Sequence, residues 1–345
     1  MKKAQKQPFY RKKIFVWAIG ILIAIIGILI WFKVSPWPGA MIIRYVFSQN
    51  DAKVTEALKK HAPAVPIATI ANQQYRANDP DAFIDTYFPQ NTQTKLPVII
   101  WTHGGAWISG GRTSHATYFE LLAAQGFTVI SAGYSLGPEK TYPTAVNQLN
   151  DMYAYISANA DRLHADTQKI VLAGDSAGAQ LSSQMAALIT NPSYATDMQM
   201  KPSLTPAQLK GVVLNCGIYK MEELIHPDPT LPKILGWGDD VSVWAYLGTR
   251  DFTVASKLTQ MSAFYHVTKD FPPTFITGGN GDPLTNAQSR PLAEKLDSLG
   301  VPVTQLFYDA NHQPSLPHEY QFNLDNDDGK NALAATIEFA KKVTQ

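Results

Sequence analysis

Cysteine is nearly missing from these 345 residues, and Cys216 stands alone. A single thiol excludes any intramolecular disulfide and says little about redox compartment. Net charge is just as scarce. Lys2, Lys3, Lys6, Arg11, Lys12 and Lys13 all precede the first acidic residue, and setting those six aside turns the formal +1 into −5. The body of the chain therefore has no basic excess with which to neutralise phosphates, which speaks against a nucleic-acid partner. Internal repeats and low-complexity tracts are also lacking. At 45% hydrophobic residues the chain can bury a large core, so one large domain with an appendage is the natural expectation.

The long apolar run comes first. Ile14 to Phe32 reads IFVWAIGILIAIIGILIWF without a charge, between Lys13 and Lys33. At roughly 1.5 Å per residue this helix nearly spans a hydrocarbon core of about 30 Å. A cleaved signal peptide usually has an apolar region of about 7–15 residues ending in small residues; here Ser35-Pro36-Trp37-Pro38 follows. The expectation is an uncleaved single-pass anchor over residues 14–32. The basic segment 1–13 would then lie in the cytoplasm and the rest of the chain outside it.

Residues 33–63 form a juxtamembrane or cap region. Met41, Ile42, Tyr45 and Val46 fall at helical spacing. Such a helix can lie on the membrane or pack on the domain, and the presence of both charge signs favours packing. From residue 64 onward, short extended stretches at 67–75 and 83–88 flank the turn signal Asn78-Asp79-Pro80-Asp81, as in an antiparallel hairpin. The pattern then alternates. Strands are expected at 98–102, 128–132, 170–173, 211–215, 274–277 and 303–308, and helices at 118–125, 143–158, 179–190, 288–299 and 330–342. This is an α/β fold, a mostly parallel sheet flanked by helices on both faces. Its ligands bind at the carboxyl ends of the strands. The interval 219–270, with Pro227, Pro229, Pro232, Trp237 and Trp244, breaks the rhythm and is expected to be a helical, cap-like insertion.

The chemistry concentrates in KIVLAGDSAGAQL, residues 169–181. A strand runs into Gly174-Asp175-Ser176-Ala177-Gly178 and then into a helix, which presents the Ser176 hydroxyl on a strained turn beside the free N–H of Ala177. A serine needs a base and an orienting acid before it can attack. In a fold of this type they follow in the order serine, acid, histidine. Of eight histidines, His61, His103, His115 and His164 precede Ser176, while His226 and His266 lie in the irregular interval; His312 and His318 remain. The acid expected is Asp282, where PPTFITGGNGDPL carries a strand into a glycine-rich loop, with Asp251 in reserve. In the stretch WTHGGAW, residues 101–107, glycines directly follow a strand and a histidine. Gly104 and Gly105 are expected to offer backbone N–H groups to a negative oxygen, with Ala177 as a third donor. His103 keeps a supporting role.

HGGAW, GDSAG and the later GDPL together resemble the α/β-hydrolase superfamily, specifically its hormone-sensitive-lipase-like branch of esterases and lipases. The resemblance runs from about Pro36 to the C-terminus. It implies an eight-stranded sheet, a lid near the N-terminus, a serine nucleophile at Ser176, the acid at Asp282, an oxyanion hole of Gly104, Gly105 and Ala177, and neither cofactor nor metal. His312 lies 30 residues after the acid, a spacing common in the branch, but Gln313-Pro314 follows it. His318 opens HEYQF, which is similar to a motif of bacterial relatives, and it is the histidine chosen; residues 311–317 then form a loop extension. The expected substrate is a small-molecule ester or lipid. A serine peptidase or amidase on the same fold, and a non-catalytic binder, are the competing readings. Trp37, Trp107, Trp237 and Trp244 hint at apolar contacts near the site or simply belong to the core.

Overall fold

The computed structural model describes residues 9–225, 232–252 and 255–345. Lys2, Lys3 and Lys6 of the basic segment, and His226, Pro227 and Pro229 of the insertion, lie outside the described residues.

Eight strands form one sheet: β1 (Ile67–Gln74), β2 (Phe83–Pro89), β3 (Leu96–Thr102), β4 (Thr128–Ala132), β5 (Ala165–Asp175), β6 (Leu209–Asn215), β7 (Thr274–Gly278) and β8 (Val303–Phe307). Their spatial order is β1-β2-β4-β3-β5-β6-β7-β8. The β1–β2 and β2–β4 pairs are antiparallel, and every later pair is parallel. The central strands are apolar and buried on both faces, as parallel strands under helices must be. Successive side chains of β3 accordingly serve two cores. Val98 and Ile100 join one cluster and Ile99 and Trp101 the other, following the period of two along a strand.

Eleven helices accompany the sheet among the described residues: α1 (Phe9–Val34), α2 (Trp37–Leu58), α3 (Ala116–Ala123), α4 (Thr144–Ala158), α5 (Ala177–Thr190), α6 (Pro192–Asp197), α7 (Met221–Ile225), α8 (Lys233–Leu247), α9 (Ala255–Met261), α10 (Arg290–Ser298) and α11 (Asp327–Val343). Helices α4, α5 and α10 contribute to the core on one face, and α3 and α11 to the core on the other. All fourteen residues of α5 are buried. Its Gln180, which is enclosed, bonds Trp107, Gln184 and the Met261 carbonyl.

Element ends differ from the sequence expectation where side chains set them. Asn326 accepts the Asp328 N–H at 2.9 Å, so α11 starts at Asp327, three residues before the apolar periodicity suggests. Residues 285–289 form a wider π turn ahead of α10. The interval 219–270 holds α7, α8 and α9.

Within α1, Lys13–Val34 is long and apolar enough to cross a membrane, and none of it is buried in the protein. Two residues later α2 begins, and it packs on the domain. A Cβ on Gly39 would come within 2.9 Å of Val241 on α8, and Ala40 and Ile43 share a cluster with Ile108 and Val241. Arg44 fastens the same helix. It donates to the carbonyls of Ile108 (2.6 Å) and Gly137 (2.8 Å) and pairs with Glu139 at 2.6 and 2.7 Å.

Candidate active site

The turn between β5 and α5 is strained. Ser176 has φ 50° and ψ −121°, a region costly for any residue with a Cβ. Close approach forces the flanking glycines. A Cβ on Gly174 would come within 2.5 Å of the Gly178 backbone, and one on Gly178 would collide with the carbonyl of Thr102 and sit 2.5 Å from that of His103. The Ser176 N–H donates to the Asn215 carbonyl at the end of β6, 2.9 Å away, which fixes the turn against the sheet.

Asp282 and His318 reach this serine from two loops. Asp282 is buried and accepts the Leu284 N–H at 2.9 Å. Its other oxygen lies 2.8 Å from His318 Nδ1, and His318 Nε2 lies 3.0 Å from Ser176 Oγ. Asn280 joins the two loops: its Oδ1 accepts from the Leu316 N–H at 2.9 Å and its Nδ2 donates to the His312 carbonyl at 3.0 Å. The structure thus brings Ser176, Asp282 and His318 together. It keeps His312 apart, with Nε2 2.9 Å from Asp328 at the start of α11. Asp251 is exposed in the turn after α8.

Burial opposes charging of His318, but the Asp282 carboxylate bonded to its Nδ1 outweighs it and raises its pKa well above the ordinary imidazole value. Cys216 is itself buried, and burial pushes its thiol upward. Cys216, Asp282 and His318 place three possible metal ligands within 4.8 Å of one another. Both ring nitrogens of His318 are spent on Asp282 and Ser176, so the imidazole has no lone pair left for an ion.

The glycine motif divides differently from the expectation. The Gly104 N–H is committed to Asp175 Oδ2 at 2.7 Å, so Gly104 has no free donor for an oxyanion. Asp175 precedes the serine and reaches across to β3, where its other oxygen accepts from Trp101 Nε1 at 2.6 Å. Beyond Gly104 the chain turns through left-handed conformations at Gly105 (φ 105°), Ala106 (φ 52°) and Trp107 (φ 60°). The N–H groups of Gly105, Ala106 and Ala177 have no hydrogen-bond partner among the described residues, and Ala177 opens α5. Successive N–H groups in such a turn make an anion-binding concavity, and a helix start adds its dipole. Ala106 is not a glycine, and its position after His103-Gly104-Gly105 was the available signal.

His103 is enclosed. It bonds the Gly104 carbonyl at 2.7 Å and stacks on Tyr134 at 4.3 Å, and burial lowers its pKa to about 4. It stays neutral and shapes the loop. Trp107 is also core, stacked on Tyr246 and donating to Gln180 at 2.9 Å, whereas Trp37 is exposed.

Sequence reasoning passed over Glu319. Its side chain hydrogen-bonds Asp175, and its Oε1 lies 4.0 Å from His318 Nε2. Burial first, then the Asp175 charge, raise its pKa to about 8, while burial raises that of Asp175 to about 6. A cavity of about 180 Å³ opens beside these groups, walled by Phe47 and Asp51 of α2 and by Gly104, Gly105, His318 and Glu319.

A mostly parallel eight-stranded sheet with a serine on a strained strand-to-helix turn defines an α/β hydrolase. More particularly, the chain belongs to the BD-FAE family, whose model matches residues 84–296. It is similar to carboxylesterase NlhH of Mycobacterium tuberculosis, 29% identical over 70% of this chain and 71% of that one. It is also similar to an acetyl esterase of Salmonella schwarzengrund, 29% identical over 64% and 65% respectively. The fold matches the crystal structure of esterase B from Lactobacillus rhamnosis, with a TM-score of 0.71, 20% identity and coverage of 88% of this chain and 95% of that one.

Proposed function

We propose that this protein is a membrane-anchored serine carboxylesterase. The observation that carries the proposal is the continuous run from Asp282 through His318 to Ser176 Oγ, at 2.8 and 3.0 Å, together with three backbone N–H groups that have no partner among the described residues. The names of the relatives support esters as the substrate class.

Ser176 Oγ attacks the ester carbonyl while His318 Nε2 takes its proton and Asp282 stabilises the resulting imidazolium. The carbonyl oxygen becomes an oxyanion, held by the N–H groups of Gly105, Ala106 and Ala177. When the carbonyl reforms, the C–O bond to the alcohol breaks, and His318 returns the proton to the departing oxygen. Water, deprotonated by the same histidine, then cleaves the acyl-serine, releasing the acid and restoring Ser176. The chemistry needs no cofactor or metal.

In this reading Lys13–Val34 is the anchor, and the basic residues before it hold the N-terminus in the cytoplasm. Residues 64–345 form the catalytic domain, with 33–63 and 219–270 as its cap. Ser176→Ala should abolish hydrolysis of a chromogenic short-chain ester and labelling by a fluorophosphonate probe, with the melting temperature retained. Undiminished turnover in that variant would remove the central claim.

A further inference from the structure

The first turns of the helix that follows the anchor, up to Asn50, present a charge-free and largely apolar face. Ile42, Tyr45 and Val46 of α2 are 49%, 67% and 56% exposed, and Trp37 at its start is 41% exposed. Arg44 is the one charged residue between Lys33 and Asp51, and it is turned inward to Glu139 and the carbonyls of Ile108 and Gly137. Where α8 begins, Ile234 and Leu235 are exposed too, and α8 packs on α2 through Trp237 and Val241 at Gly39. Lys233 beside them is a residue whose long stem can lie on apolar surface while its ammonium reaches headgroups.

Connectivity restricts what can cover this face. The anchor ends at Val34 and α2 starts at Trp37, three Cα steps that span at most about 11 Å. The first turns of α2 therefore stay beside the level where α1 leaves the hydrocarbon. Exposed Trp and Tyr at that depth are typical of membrane interfaces. The same helix contributes Phe47 and Asp51 to the cavity beside His318.

We infer that the outer face of the first turns of α2, with Ile234 and Leu235, seats in the interface of the bilayer that holds α1, so that the cavity under α2 beside His318 lies next to the lipid and takes long-chain esters partitioned into that bilayer. The inference rests on α1 being an anchor and Ser176 the nucleophile. An apolar helix face in contact with lipid needs no protein partner, and being charge-free lets it enter the headgroup boundary without desolvating an ion.

Spin labels on the full chain in phosphatidylcholine vesicles test it. Nitroxides placed through Leu22→Cys, Val46→Cys and Lys295→Cys would be compared for accessibility to oxygen and to a water-soluble nickel chelate; Cys216 is buried. The expected result is a lipid-like signal at positions 22 and 46 and an aqueous one at 295. A lipid-like signal at 22 with an aqueous one at 46 overturns the inference and leaves the anchor standing. An aqueous signal at 22 overturns both. Spin–spin broadening at 46 that is relieved by unlabelled chain assigns the face to a second copy and overturns the inference.

A functional arm uses Ile42→Ser with Val46→Ser. Turnover of a soluble short-chain ester should be unchanged, and hydrolysis of a long-chain ester embedded in vesicles should fall several-fold. Equal loss on both substrates, or no loss on the embedded one, overturns the inference. If Ser176→Ala retains turnover, the nucleophile has failed instead, which the label positions do not depend on.

Discussion

Glu319→Gln should remove an alkaline limb from the activity profile. Glu319 and Asp175 share a hydrogen bond inside the protein, which requires a proton on one of them. Asp175 already accepts from Trp101 and Gly104, so it carries the charge and Glu319 the proton. Two full charges even about 4 Å apart at an effective dielectric constant of about 20 repel by about 4 kcal/mol, equivalent to about three pKa units, and a hydrogen-bonded pair is closer than that. Burial first and then Asp175 raise the Glu319 carboxyl from 4.5 to about 8. Asp282 acts on Glu319 in the same direction while His318 opposes it, and Asp51, from α2, raises Asp175. A carboxyl with a raised folded pKa contributes fully below its ordinary value, and that contribution is lost as pH rises through about 8. Above it, a second charge stands 4.0 Å from His318 Nε2, where it favours the imidazolium over the neutral base that Ser176 needs, and it repels the Asp175 carboxylate that holds Gly104. Wild-type kcat/KM on a short-chain ester should therefore fall as pH rises past about 8. In Glu319→Gln the amide donates to Asp175 at every pH, so activity at pH 7 should persist and the fall above about pH 8 should disappear. An alkaline limb that survives in the Gln variant would refute the reasoning.

His318 must be neutral to accept the serine proton, and its raised pKa places the acid limb of kcat/KM above pH 6.5, with rate lost as pH falls through it. Asp282→Asn should move that limb to lower pH and cut kcat by about 10⁴, as loss of the orienting acid does in serine hydrolases. A limb left in place would show that Asp282 is not the group raising His318. His318→Ala should inactivate the protein, whereas His312→Ala should keep its turnover and lose at most about 1 kcal/mol of stability with the partly exposed Asp328 pair; steady-state rates and thermal melts would check both. Gly178→Ala forces a methyl onto the Thr102 carbonyl and should cost about 1–3 kcal/mol or more along with activity. Gly111→Ala, where an added Cβ meets nothing within 4 Å, should change neither.

How much the sequence disclosed followed from how local each cause was. The turn at Ser176 could be read because its glycines answer to contacts that any strand-to-helix turn of this shape imposes, and the sheet because buried β-branched runs mark β3 to β6. The choice between His312 and His318 had no local cause. Both sit in one loop after β8, and their placement is set by Asn280, whose side chain holds the Leu316 N–H and the His312 carbonyl. No periodicity encodes that. Helix α5 gave no amphipathic stripe for a related reason: every one of its faces is covered. Lying on the membrane and packing on the domain are not exclusive for α2, because a helix has two faces. Its inner residues Ala40 and Ile43 pack on the domain while its outer ones stay exposed.

The misplaced oxyanion donor traces to a single carboxylate. Two glycines after a histidine say that backbone can come close to a substrate, but not which N–H stays unpaired. Asp175 decides that by taking Gly104 for itself, and the free donors shift one residue onward to Gly105 and Ala106. The same carboxylate is buried and anionic, so it needs a third donor, and Glu319 supplies one by keeping its proton. The Asp of GDSAG and the Glu of HEYQF, more than a hundred residues apart in sequence, thus belong to one electrostatic unit with the oxyanion loop between them. Loss of the Glu319 proton would set two carboxylates against each other beside the Gly104 N–H, and for that reason the pH dependence of Glu319→Gln tests the loop as well as the carboxyl pair.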